Sequence, residues 1–478
     1  MKRLSKSAIL LWILIILLVV ATIVIAPRLY RVATLLWNAQ RAQAVGNPAQ
    51  AAQGFASAAE IIPWRTRYWE QAGHNALQAG DPQAAVSYFL KADALNLLTP
   101  AGTLALGDAC LQKGDMDCAA RWWDAALHAG LPAGEIYARL LPVHRQQADY
   151  PAVLADLKAL AKVQPDDAGW QYQLGLVLAA IQPEEALSHL SRAAELDPSL
   201  AGQTDKLAQN IRIARLKDDP AFTLLEAGRA LGSLNEWGLA LEAFHQAAQV
   251  RPDYAEAWAY LAEARQQLPE AQVSGDGLAD LEHALQIDPK SLSAHIFLSL
   301  YWQRQGQIER ALEYLDKAVA LYPNNPALHT ETGRVLALQG NLGAAQQAYQ
   351  QAIELAPQDP AYYRLLAAFS LEHNYQLSQT GLPAARQALL LSPNDPASLD
   401  MLGQVLLQLG DAASAKRFFE RAALLQPQYA PAHLHLGLIY ILEDNRPAAY
   451  EKFNQVLSQA PGTTAADQAQ RLLENYFP

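Results

Sequence analysis

Two patterns of apolar positions divide this chain. The first is continuous: from Ala8 to Ala26, nineteen consecutive residues carry no charge, and only Thr22 brings a polar side chain. As a helix this run is about 28 Å long, close to the roughly 30 Å of a bilayer core. The second pattern is periodic. Small residues recur twelve apart, as Gly73 with Ala85, Gly107 with Ala119, Gly228 with Ala240, Gly333 with Ala345, Gly403 with Ala415 and Gly437 with Ala449. Four residues after each second member stands a bulky side chain (Phe89, Trp123, Phe244, Tyr349, Phe419, Phe453), and three further on a small or apolar one (Ala92, Ala126, Ala247, Ala352, Ala422, Val456). Spacings of 4 and 3 place these on one helical face.

Turn signals fall between the small pairs. Gly80-Asp81, Gly114-Asp115, Gly340-Asn341 and Gly410-Asp411 suit a helix stop followed by an N-cap. Prolines at 252, 289, 323, 357, 393, 427 and 461 recur at intervals of 37, 34, 34, 36, 34 and 34 and end each second helix. The pattern predicts antiparallel helix pairs that approach where the facing residues lack bulk.

This unit resembles the tetratricopeptide repeat (TPR), with close matches in Trp69-Gly73-Ala85-Phe89-Ala92, in Leu402-Gly403-Ala415-Phe419-Ala422-Pro427 and in Leu436-Gly437-Tyr440-Ala449-Phe453-Pro461. The resemblance implies an all-α fold, a right-handed superhelix of about twelve helix-turn-helix units, and the apolar run is expected to precede it as one transmembrane helix. The expected organisation is a short tail at 1–7, a transmembrane helix at 8–26, a first block of about five repeats at 32–199 and an extra helix or seam at 200–220. A second block of about seven repeats follows at 221–463, then an amphipathic capping helix at 464–478. Insertions at 268–277 and 373–382 are expected to enlarge turns within repeats, and the unit at 134–167 departs most, with Leu141 and Val153 where small residues belong.

The apolar run is longer than the core of a cleavable signal peptide. Val24-Ile25-Ala26 imitates a cleavage site, but Pro27 obstructs it, so the run is expected to remain as an anchor. Lys2, Arg3 and Lys6 precede it, while Arg28, Arg31 and Arg41 follow. The tighter first cluster and the amine favour an internal N-terminus, which places the array on the extracytoplasmic side of the cell membrane.

Composition removes other readings. Charged residues make up 17% of the chain and the net charge is −11, with no basic run to track phosphates, so nucleic acid is not an expected partner. No P-loop, dinucleotide loop, nucleophile elbow or His-Glu-x-x-His is present, and an array of repeats leaves no catalytic segment, so no enzyme activity and no cofactor are expected. His433 and His435, two apart on a helix, point to different faces and are read as one packed and one exposed histidine rather than a metal site. Cys110 and Cys118 bracket a turn, which makes proximity possible without giving the Cα separation a disulfide needs. Cys110 stands where the family pattern has an interhelical Tyr, which suggests core packing.

Function is therefore expected on the solenoid surface, binding protein partners such as membrane proteins or their extramembrane segments. In the family the first helices line a concave groove, and the resemblance maps Glu70, His74, Asp108, Arg229, Glu263, Arg334, Arg364, Asp400 and Gln404 onto it. The family's Lys/Asn carboxylate clamp is not reproduced there. Trp122, displaced around the helix from the core Trp123, is a further candidate contact.

Overall fold

The computed structural model describes residues 6–65, 67–96, 98–269, 275 and 277–477. Among them every regular element is helical, and most helices form antiparallel pairs across short turns. The chain divides into two compact units, Met1–Gln246 and Ala247–Pro478, parting within the helix Trp237–Val250.

Each pair is built from the same local devices. Gly80, Gly114, Gly340 and Gly410 stop their helices with φ of +74°, +86°, +84° and +88°, a region that glycine enters without steric cost. The next residue then starts the second helix. The side chains of Asp81, Asp115, Asn341 and Asp411 accept the N–H groups of Ala84, Cys118, Ala344 and Ser414.

The helices do not close small residue on small residue. A Cβ on Gly73 would stand 2.7 Å from Phe89 Cδ1, and at Gly107, Gly228, Gly403 and Gly437 it would run into the rings of Trp123, Phe244, Phe419 and Phe453. The glycine is a seat for the ring four residues past the paired alanine. Those five rings are all fully buried, each contributing about 1.5–3 kcal/mol of apolar burial.

Connections between pairs use a second device. The carbonyls of Pro165, Pro252, Pro289, Pro323, Pro357 and Pro427 accept hydrogen bonds from the side chain six residues on: Gln171, Trp258, His295, His329, Tyr363 and His433. A carbonyl past the end of a helix has no intrahelical donor, so a polar side chain from the next helix supplies one.

In the first unit, the pair Ala133–Gln146 and Tyr150–Val163 has no glycine seat. It buries Leu141, Val153 and Leu157, and Pro142 lies inside its first helix. The helix Ala201–Arg215 packs between Pro183–Leu196 and Pro220–Ser233, burying Leu207, Ile211 and Ala214. In the second unit, a wide turn at Leu377–Gly381 lengthens the link between Pro360–Glu372 and Leu382–Leu391. Most of the other insertion lies outside the described residues. Thr464–Tyr476 packs on Arg446–Gln459, burying Ala466 and Ala469 while Asp467, Gln470, Arg471 and Glu474 stay exposed.

Two cysteines depart from expectation. Cys110 and Cys118 form a disulfide, their Cα atoms 5.6 Å apart, rather than simply packing as free thiols. The turn Lys113-Gly114-Asp115 brings the end of Pro100–Gln112 against the start of Met116–His128, which gives the separation that sequence spacing could not.

The N-terminal helix runs without interruption from Lys6 to Ala44, with Pro27 inside it. Its later half belongs to the core of the first pair: Val32, Ala39 and Ala42 are buried, the alanines against Pro48–Ile61. Among the described residues no helix is long and apolar enough to cross a membrane. The expected span at 8–26 falls where many side chains, those of residues 8–14, 16–18, 21 and 24, lie outside the described ones.

Candidate partner-binding groove

First helices of successive pairs place the expected groove residues, and most of them are joined from one pair to the next. In the first unit Glu70, nearly buried, accepts hydrogen bonds from the Thr99 backbone N–H at 3.2 Å and hydroxyl at 2.5 Å and stands 3.7 Å from His74. Burial pushes its carboxyl up, but the hydrogen bonds from His74 and Thr99 outweigh this and hold it below the usual range. His74 also meets the Phe89 ring edge-on. Asp108 accepts the Trp123 indole N–H at 3.0 Å and Arg139 Nε at 3.1 Å. Arg229 pairs with Glu226 on its own helix at 2.7 Å.

The second unit repeats the arrangement. Glu263 receives a two-pronged bond from Arg304 at 2.7 and 3.0 Å, and Gln267 donates to it as well. Arg334 bonds Glu331 and Gln303. Arg364 reaches Asp395 at 2.7 Å and Ser398 at 3.1 Å. Asp400 accepts from Gln404 at 2.8 Å and meets His435 Nδ1 at 2.6 Å. Tyr429 lies among these groups, and burial with the Asp400 and Asp395 carboxylates pushes its phenol up.

His435 is thus not exposed, contrary to expectation. It sits on the face of Ala430–Leu442 turned to the preceding first helix, where Asp400 awaits it. His433 is the packed one. Trp122 is half-buried against the core formed by Leu106, Ala119 and Trp123.

Sequence reasoning missed the partners Arg139, Arg304, Asp395 and His435. A signal existed for some. Opposite charges 31 apart join Asp108 to Arg139, Arg364 to Asp395 and Glu184 to Arg215. In the first two cases a residue on one first helix meets a residue one repeat on, less about a turn, while Glu184 stands on a second helix and Arg215 on the extra helix that follows it.

One cleft opens along this face in the first unit, about 490 Å³ in volume. Leu77, Leu111, Trp123 and Val143 give it apolar walls, and the Asp108–Arg139 pair lies in it. Pro142, also lining it, has no N–H to offer the carbonyl of Ala138 on the same wall. The cleft can receive an apolar side chain. Asp108, Glu263 and Arg364 are thus paired with opposite charges on a neighbouring helix pair, whereas Arg229 and Arg334 pair with a glutamate on their own helix. No group of His, Cys, Asp and Glu able to hold a metal occurs among the described residues.

Helix pair after helix pair, each seated on the last, defines an α-solenoid repeat protein. Models of the tetratricopeptide repeat match residues 303–369 and residues 71–134, 225–274 and 401–463, together half of the chain. The chain belongs to the tetratricopeptide repeat family. It is similar to the human Protein O-mannosyl-transferase TMTC1, 26% identical over 185 residues, which are 38% of this chain and 20% of that protein. The chain thus matches a fifth of that relative's length. Among solved structures, it is similar to yeast Tom70 at 16% identity and TM-score 0.46, covering 93% of this chain and 95% of that one. It is also similar to the APC/C hetero-tetramer Cut9-Hcn1, at 15% identity and TM-score 0.38, covering 95% of this chain and 99% of that one.

Proposed function

We propose that this chain is a membrane-anchored scaffold that holds protein partners on its TPR surface, with the array on the extracytoplasmic side and no catalysis of its own. The observation that carries the reading is the helix Lys6–Ala44. Its first part contains the apolar run Ala8–Ala26, and its last part is the first helix of the first pair. No linker separates them, so the array stands at the bilayer and faces membrane proteins or their extramembrane segments. The Cys110–Cys118 disulfide supports an oxidising compartment.

Photo-crosslinking in intact membranes from Leu111 and Gln146, both on the cleft wall, tests the reading. Partner proteins captured from these sites, and not from the outward-facing Leu424, are expected. Equal capture from all three would overturn the assignment of the cleft. Orientation has its own test: protease added outside cells stripped of any outer barrier should digest the array, and an array cut only after lysis would reverse the topology.

A second reading draws on the likeness to an O-mannosyl-transferase: an accessory component of a glycosyl-transfer or other envelope export system. Glycan-synthesis enzymes among the captured proteins would favour it. Substoichiometric capture of unassembled subunits would instead favour an assembly factor.

A further inference from the structure

The membrane end of the first helix pair carries a set of side chains that partner binding leaves unused. Gly54 fixes their level. It packs so closely on the N-terminal helix that a Cβ there would stand 2.8 Å from Ala39 Cβ and 3.4 Å from the Leu35 carbonyl. From Gly54 to Ile62 the second helix rises about 12 Å, and the same distance back along its antiparallel neighbour, from between Leu35 and Ala39, ends at about Leu29. The connection Ile62–Arg65 therefore stands level with residues 29–31, about 5–8 Å beyond Ala26. That is the depth of the polar layer covering each side of a bilayer core, about 5–7 Å.

At this level Tyr30 is 75% exposed and Trp64 71% exposed, both far outside the range of packed aromatics. Arg28, Arg31, Arg65 and Arg67 are exposed beside them. No Asp or Glu occurs in residues 27–41 or 62–67, the nearest carboxylate in sequence being Glu60. Amphipathic rings and cations at one height, next to an apolar run, match a phospholipid interface, where rings sit among glycerol and carbonyl groups and guanidinium groups bond phosphate. Trp37 provides an internal contrast. It is 60% exposed, yet stands about 16 Å past Ala26, above the polar layer, with Arg41 over its ring.

We propose that Tyr30 and Trp64, with Arg28, Arg31, Arg65 and Arg67, form a seat on the phospholipid headgroup layer that holds the first helix pair flush against the bilayer. The proposal rests on the anchor reading. It makes the connection at 62–65 a second membrane contact, so that the array is fixed in angle as well as in place.

The test uses the full chain in phosphatidylcholine vesicles containing a minority of phosphatidylglycerol, with nitroxide-labelled lipids quenching tryptophan emission. The contribution of each residue is the difference from W64F, W37F or W12F, Trp12 lying within the apolar run. A shallow label is expected to remove most of the Trp64 emission and little of the Trp37 emission, while a deep label removes that of Trp12. Quenched Trp12 with unquenched Trp64 would overturn the seat and leave the anchor standing. Unquenched Trp12 would overturn both. Trp64 shielded from aqueous acrylamide but not quenched by lipid would assign this surface to a second copy of the chain.

Discussion

The pairs 396–425 and 133–163 close the same kind of helical hairpin with opposite materials. In the former, Gly403 receives the Phe419 ring, which lies where a Cβ would go. In the latter, Leu141 and Val153 replace the small residues, Leu157 takes the place of the ring, and all three are buried. A flat ring needs a bare backbone beneath it, whereas a branched aliphatic core fills the gap from both helices. The hairpin therefore requires that the total volume at the crossing be matched, and the glycine signature is one solution among several.

That comparison can be broken from either side. The largest effect is expected where volume is removed from the aliphatic pair: Leu157→Ala should cost about 2–5 kcal/mol, read as faster hydrogen exchange over 133–163. A loss confined to a few tenths would mean the pair is held by its neighbours. The pair 100–128 adds a covalent tie to a glycine seat, and replacing Cys110 and Cys118 by serine should cost about 2–3 kcal/mol by loop-closure entropy. An unchanged urea midpoint under reducing and oxidising conditions would count against that tie. Adding volume at the glycine seat comes next. Gly403→Leu should cost about 1–3 kcal/mol or more by displacing Phe419, and a companion Phe419→Ala change should return part of it. If the two losses simply add, the ring does not sit on the glycine.

The smallest effect concerns acid. Burial holds the His433 imidazole below its ordinary value of 6.5, the Pro427 carbonyl opposing, and Lys452 adds to the lowering. Nε2 faces the Pro427 carbonyl while Nδ1 is buried without a partner. A folded value below the unfolded one gives a contribution that is complete above pH 6.5 and lost as pH falls through the folded value. His433→Gln, which keeps a donor for the proline carbonyl as Gln171 does, should flatten that acid loss without lowering stability at neutral pH.

Much of the fold was legible because its causes are local. Gly-Asp and Gly-Asn turns, the small-bulky-small spacing and the terminal prolines each act within a few residues, so they leave periodic traces. The candidate groove was legible only as a set of positions. Glu263, Arg364 and Asp400 were visible as charges on first helices, but whether they are open to a partner depends on what the next pair presents. Arg304, Asp395 and His435 stand 41, 31 and 35 residues away. Insertions in the turns shift that distance, so no single period finds them all.

By itself, the sequence determined the repeat, the turn chemistry and the apolar run at 8–26, since each depends on residue type at short separation. Tertiary structure decided the rest. It put ring on glycine rather than small on small, drew Cys110 and Cys118 together, and supplied donors to the proline carbonyls from six residues on. It also joined Asp108, Glu263 and Arg364 to opposite charges on the neighbouring pair. A buried or half-buried polar group must find its partner in space, and helices that pack side by side bring that partner from a separation the chain alone does not announce.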